Sequence, residues 1–238
     1  MKLETILNLL YAWAMGLSVQ STRRLLGFQQ NNSIVQWQQY ARDICSTQLL
    51  KIWNSGFQLG GPGKVVEIDE ALFVKRKYNR GRLPKTWMSV DDEDAADLRW
   101  IFGIYDRTLK IGVLEFVEKR DTATLLPLIQ KYVMPGTTIM SDQWRAYSAI
   151  QSTGDYVHLT VNHSTNFVDP NTGAYTQNIE AFWSRGKKFL RKNDVLKSKK
   201  LLPSHLDEFM WRNLYDTGNP TTTFLTLMSH LSSWEAYQ

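Results

Sequence analysis

Three acidic residues far apart in the chain share one feature: each falls where a regular element begins or ends. Asp69 closes the β-prone run VVEID, Asp142 closes TTIMSD, and Glu180 lies in the first turns of the helix-like TQNIEAFW. Between the first two lie 72 residues and between the last two 37, enough for crossovers that bring two strand ends and a helix together. Carboxylates gathered at neighbouring strand ends repel one another unless a cation lies between them, so the cluster either raises a pKa or binds metal. Oxygen donors suit Mg²⁺ or Mn²⁺. Two such ions in one site, roughly 3.5 to 4 Å apart, polarise a phosphodiester, activate an attacking water or 3′-hydroxyl and steady the leaving oxygen. Asp69, Asp142 and Glu180 are therefore candidates both for catalysis and for metal ligation. The plainer reading is three solvated turn or cap carboxylates among 23 acidic residues.

Lys187 follows Glu180 by seven positions, close to two helical turns, so both project from one helix face. A lysine there can grip a phosphate beside the ions, and Arg185, Lys188, Arg191 and Lys192 extend the basic surface; an ordinary solvated helix end favoured by the helix dipole is the competing reading. Trp144 and Tyr147 either stack on an unpaired base or pack the core, and packing is the expectation for both. Phe182 and Trp183 sit beside Glu180, and at least one must face inward. His158 and His163, which bracket Asn162, are expected to hydrogen-bond and position rather than to transfer protons. Asn162, Asn166 and Asp169 either shape the loop that presents Glu180 or contact DNA.

The elements that must position these groups can be read from periodicity and capping. Apolar spacing predicts helices over 3–15, 19–26 and 34–52, with Ser18 capping the second, Gly27 ending it, and Asn32 or Ser33 capping the third. Gly56, Gly60, Gly61, Pro62 and Gly63 form the clearest breaker cluster. Strands are expected over 64–74, 99–106 and 110–117, then a helix capped by Asp121 or Thr122 and ending before Pro135. A strand over 137–140, a short helix, a strand over 156–161 and a helix over 176–192 complete a βββαβαβα order. Antiparallel hairpins would build the first half of an α/β sheet and helical crossovers the second.

The resulting organisation is a helical helix-turn-helix-like subdomain over 1–58, a linker over 59–64, an α/β domain over 65–215 and a C-terminal tail over 216–238. In 1–58 the bases Lys2, Arg23, Arg24, Arg42 and Lys51 exceed the acids Glu4 and Asp43. Arg23 and Arg24 are candidate DNA contacts there, against a helical packing subdomain with no such role.

A formal net charge of +5 and a pI of about 9.2 favour a polyanionic partner only weakly. Hydrophobic residues at 43% and aromatics at 12% argue against disorder. The single cysteine, Cys45, excludes an intramolecular disulfide framework or a multi-cysteine zinc site and suits a reducing intracellular compartment. Neither a signal peptide nor an apolar run of about 18 residues is expected, so no membrane association is foreseen.

Several pieces of the chain, in order, resemble one family. They are VEIDE at 66–70 with KRKYNRGR at 75–82, LLPLI at 125–129, PGTTIMSDQWRAY at 135–147, VNHSTNFVDPNTGAYTQNIEAFW at 161–183 and LDEFMWR at 206–212. Together they are similar to ISXO2-like transposases of the IS1595 group and to their eukaryotic relatives, the Merlin transposons. The resemblance implies a ribonuclease H-like mixed sheet with flanking helices and a catalytic acidic triad that falls on Asp69, Asp142 and Glu180. It also implies two Mg²⁺ or Mn²⁺ ions, and double-stranded DNA, as transposon terminal inverted repeats and as target, for partner. A homodimer or higher homo-oligomer is expected, because pairing two DNA ends needs two active sites. WAMGLSVQSTRRLLG at 13–27, with IVQWQQYARDIC after it, is nearer to Merlin, which implies a nuclear location; a bacterial chain would work in the cytoplasm or nucleoid. The acidic excursion at 83–98 and the tail depart from the family pattern. The expected function is metal-dependent cleavage and strand transfer of transposon ends. The alternatives are a domesticated, catalytically silent DNA-binding protein and a structure-selective nuclease that cleaves without joining.

Overall fold

Helical apolar spacing and glycine stops divide the N-terminal part of the chain into Leu3–Ala14 (α1), Val19–Leu26 (α2) and Asn32–Asn54 (α3). The computed structural model describes residues 1–72, 100–162, 168–170, 172–193, 195 and 200–232. The basic run at 75–82, the acidic excursion at 83–98, His163 and Asn166 lie outside the described residues. Ser18 caps α2 as expected, its Oγ accepting from Ser21 N at 3.1 Å, and Gly27 ends it at φ 71°. At α3 the expectation is corrected: Asn31, not Asn32 or Ser33, holds the N-cap position, with no side-chain capping bond.

The strands that follow are Leu59–Gly60 (β1), Val65–Leu72 (β2), Trp100–Asp106 (β3) and Ile111–Val117 (β4). Thr122–Tyr132 (α4), capped by Asp121, leads into Val133–Met134 (β5) and Thr138–Asp142 (β6). A 3₁₀ turn at Arg145–Tyr147, Ser148–Ser152 (α5), Val157–Val161 (β7) and Gln177–Lys192 (α6) complete the sheet region. Leu202–Tyr215 (α7) and Pro220–Ser232 (α8) close the described chain. Among the described residues no helix is long and apolar enough to cross a membrane.

Two units make up the chain: residues 1–55 with 207–238, and residues 56–206. In the first, α1 packs on α2, α3 and α8. Residues 216–238, expected as a tail, thus contain a helix of this unit, opened by Asn219, whose Oδ1 accepts from Thr221 N at 2.9 Å. Its sequence, PTTTFLTLMSHLS, is rich in β-branched threonine, which lowers helix propensity and hid it. Trp211 is buried against Trp13 and Tyr215 and donates to His230 Nδ1, while Arg212 lies over the Trp13 ring and bonds its carbonyl at 2.7 Å.

The second unit holds a five-stranded sheet of order β4-β3-β2-β6-β7. β2, β3 and β4 are antiparallel neighbours, whereas β2, β6 and β7 run parallel. Three antiparallel strands, with parallel strands added beside the first through helices, form the ribonuclease H-like sheet. α6 packs on one face, against β2 and β3. On the other face α4 meets β3, and the Tyr132 hydroxyl donates to Glu115, the cross-strand partner of Phe102.

The glycine cluster expected as a linker is instead built into this unit. Leu59 is buried, β1 pairs in parallel with β5, Gly60 N donates to Asp106 Oδ2 at 2.7 Å and Gly61 N to Thr137 Oγ1 at 2.8 Å. Gly60 adopts φ +80°, and a Cβ there would lie 2.4 Å from Thr137 Oγ1. Gly63 has a similar φ of +74° but no atom within 4 Å of a built Cβ. Gly60→Ala should therefore lower unfolding free energy by about 2–4 kcal/mol, strain plus overpacking, and Gly63→Ala by about 1 kcal/mol, strain alone. Denaturant titration of both variants measures the difference; equal losses would contradict the close-approach argument.

Candidate active site

The parallel pairing of β2 with β6 stops at Glu67–Met140, while β2 continues antiparallel to β3 as far as Leu72. Two residues beyond that last parallel pair, the same register brings Asp69 alongside Asp142, the final residue of β6. A cavity of about 710 Å³ opens there, and Asp69, Glu70, Asp142, Glu180, Lys187 and Arg191 line it. Trp100, Arg120, Trp144 and Trp183 are among its other walls. The structure thus brings Asp69, Asp142, Glu180 and Lys187 to one cavity, and adds Arg191.

Each carboxylate is held differently. Asp69 Oδ1 accepts from Glu70 N at 2.8 Å and Oδ2 from Trp183 Nε1 at 3.1 Å. Asp142 Oδ1 accepts from Trp144 N at 2.9 Å, a local turn that fixes the carboxylate at the strand end. Glu180 stands exposed in the first turn of α6, where a carboxylate is favoured by the helix dipole.

The approach of α6 to the sheet depends on two glycines. Gly103, opposite Asp69 in the β2–β3 register, would carry a Cβ 2.4 Å from Trp183 Cζ2, and Gly112 a Cβ 2.5 Å from Phe182 Cε1. The missing side chains let both aromatic rings lie on the sheet, so Phe182 and Trp183 are both buried, where at least one was expected to face inward. That placement carries the Trp183 indole N–H to Asp69.

Burial pushes the Asp69 carboxyl up to about 7, and the negative charges of Glu70 and then Asp142 push the same way against the two neutral hydrogen-bond donors. Burial also raises Glu70 to about 7; the Tyr147 hydroxyl and Arg120 oppose the rise and Asp142 adds to it. The Tyr147 hydroxyl lies near enough to Glu70 to favour its charge, yet neither Glu70 Oε1 nor that hydroxyl makes a well-formed hydrogen bond among the described residues. Buried carboxylates that repel one another, met by neutral donors, fit a hard divalent cation, which would offset the charge. Among the described residues no three or more His, Cys, Asp or Glu side chains are gathered closely enough to hold a metal ion; the carboxylates share a cavity wall.

The remaining expected residues separate clearly. Arg185, Lys188 and Lys192 lie exposed on α6 beside the cavity-lining Lys187 and Arg191, with Arg185 over the Phe182 ring. Arg23 and Arg24 lie in the last turn of α2, in the other unit. His158 is turned to Ser141 Oγ at 2.9 Å, burial lowering its pKa. Tyr147 is core as expected, but Trp144 is a correction: 41% exposed, it lines the cavity with Arg120 between its ring and that of Trp100. Sequence reasoning missed Glu67, Glu70, Trp183 and Arg120. For Glu67 a signal existed, a charged residue two before Asp69 on the same face of the strand and set between the apolar Val66 and Ile68.

A carboxyl whose folded pKa exceeds its unfolded value takes up a proton on folding. Its contribution to stability is full in acid and is lost as pH rises from the unfolded value, 3.8 for Asp69, towards about 7. Asp69→Asn should therefore raise the Tm of metal-free protein at pH 8 and give no such gain near pH 4. Thermal melts at the two pH values check this, and a lower Tm for the variant at pH 8 would contradict the charge cluster.

Residues 58–213 match the ISXO2-like transposase domain. An uncharacterized transposase-like protein of Haemophilus influenzae is 32% identical over 91 residues, 38% of this chain and 71% of that protein. Among solved structures, the HTLV-2 integrase catalytic core domain in complex with magnesium is similar at 13% identity, covering 66% of this chain and 87% of its own, with a TM-score of 0.39. A pre-cleavage Mos1 transpososome is similar at 11% identity, covering 90% of this chain and 74% of its own, with a TM-score of 0.34. The family match spans well over half of the chain and contains every acidic residue of the cavity: the chain belongs to the ISXO2-like transposase family.

Proposed function

We propose that this chain is a DNA transposase that cleaves transposon ends and joins them to target DNA with divalent metal ions held by Asp69, Asp142 and Glu180. One observation carries the reading: these carboxylates and Lys187, from two strands and one helix, line a single cavity. Asp69 and Asp142 would hold a Mg²⁺ or Mn²⁺ ion between adjacent strands, and Glu180 would complete the set from α6. Two such ions, when bound, polarise the phosphodiester and activate the attacking water or 3′-hydroxyl. The chain's own groups orient the substrate: Lys187 and Arg191 grip backbone phosphates beside the carboxylates, and exposed Arg185, Lys188 and Lys192 extend the basic track along α6. Arg23 and Arg24 are proposed as DNA contacts of the helical unit, which would recognise the terminal inverted repeats. The working form is a homodimer or higher homo-oligomer, with one cavity per DNA end.

The test is a cleavage and joining assay on terminal-repeat DNA with Mg²⁺ or Mn²⁺. Chelator should abolish both steps. Asp142→Asn should lower the rate by more than about 100-fold, beyond the loss typical of residues that only support a metal ligand. Full cleavage by Asp142→Asn would refute the reading. DNA binding without cleavage by the wild-type chain would favour a silent, domesticated protein, and cleavage without joining a structure-selective nuclease. Lys187→Ala should weaken DNA binding across sequences and reduce the slope of log affinity against log salt by about 1, measured by fluorescence anisotropy at several salt concentrations.

A further inference from the structure

We infer that Glu67 is a positioning residue that fixes Glu180 in register with Asp69; the inference rests on the reading of Asp69, Asp142 and Glu180 as a cation-binding set. Glu67 is 0% exposed and lies two residues before Asp69 on β2, on the same face of the strand. A carboxylate taken wholly out of water persists only if its oxygens are surrounded by donors. Three donors surround this one. Arg107 Nε reaches Oε1 at 2.6 Å, Asn178 Nδ2 reaches Oε1 at 2.6 Å, and Ile179 N reaches Oε2 at 2.8 Å.

Two of these donors belong to the first turn of α6, immediately before Glu180. The N-cap residue Thr176 makes no side-chain capping bond to this helix. Glu67 therefore does from the neighbouring strand what an N-cap side chain normally does, accepting an amide of the first turn and placing negative charge at the positive helix end. Arg107 ties the approach to α6 to the same carboxylate: its Nη2 donates to the Tyr175 carbonyl at 2.8 Å and its guanidinium lies over the Tyr175 ring at 3.7 Å.

One turn further along, Asp69 accepts from Trp183. Strand and helix are thus pinned at two points, Glu67 to Ile179 and Asp69 to Trp183, and Glu180 sits between the two pinned helix positions. Loss of the Glu67 anchor frees the first turn, and with it the Glu180 carboxylate, while Asp69 and Asp142 stay on their strands. Gln in place of Glu67 offers one acceptor oxygen and brings an amide donor against donors, so it breaks the anchor without changing side-chain size.

The test is Mn²⁺ titration of the full, metal-free chain by calorimetry, together with amide hydrogen exchange across 177–183, for wild type, Asp142→Asn, Glu67→Gln and Asn178→Ala. Glu67→Gln should weaken Mn²⁺ binding by between about tenfold and 100-fold, and Asn178→Ala by about tenfold, with faster exchange in the first turn of α6. Asn178→Ala removes a half-exposed side chain and carries the test should Glu67→Gln fail to fold. Wild-type Mn²⁺ affinity in a folded variant whose first turn exchanges faster would overturn the positioning role and leave the metal reading intact. No Mn²⁺ binding by wild type, or equal binding by wild type and Asp142→Asn, would overturn the metal reading on which the inference rests.

Discussion

A negative charge removed from water must be surrounded by donors or neutralised, and β2 carries two carboxylates on one face, two residues apart. They meet this constraint in opposite ways. Glu67 is wholly buried and has three donors, one of them the positively charged Arg107. Asp69 has two neutral donors and two negative neighbours, and its pKa rises to about 7. The first is solved internally and stabilises the fold. The second is left short of positive charge at a cavity wall, which is where perturbed carboxyls mark a working site.

The difference depends on α6, and α6 lies where it does because the sheet has notches for it. A helix carrying Phe182 and Trp183 side by side cannot lie flat on a sheet of full side chains. Gly103 and Gly112, on adjacent strands, supply the space. Trp183 then presents its N–H to Asp69, Ile179 presents its amide to Glu67, and Glu180 faces the cavity. Packing and chemistry here are one constraint, since a methyl group at position 103 would displace the ring that holds Asp69.

Much of this was legible in the chain itself. β-prone runs bounded by turn residues located all five strands of the main sheet to within about two residues, and Ser18, Gly27 and Asp121 marked helix ends because a cap acts on its own neighbours. Asp142 and Glu180 stood out because each marks an element boundary; Asp69, expected to close its strand, lies inside β2, which runs on to Leu72. What could not be read was long-range or weakly patterned. β1 and β5 are two residues each, too short for any period, and their glycines read as a breaker cluster although Thr137 and Asp106 claim them. The threonine-rich α8 carries little helical preference of its own and owes its form to α1 and α3. Trp183 and Asp69 are 114 residues apart, so no local rule joins them.

The cavity itself follows from unequal strand lengths. Had β6 continued beside β2, backbone pairing would have filled the space next to Asp69 and Glu70, and Asp142 would have been a mid-strand residue. Instead β6 ends at Asp142 while β2 runs on to Leu72 with support from β3 alone. Residues 69 and 70 point to opposite faces of the strand, yet both line the cavity, because the missing neighbour exposes the strand's edge as well as its faces. In sheets with parallel strands, ligand sites form at the carboxyl ends of strands, where the pairing stops. Here that rule has a local cause: the place where a parallel partner ends is the one place on β2 where buried acidic side chains can reach a shared, accessible space.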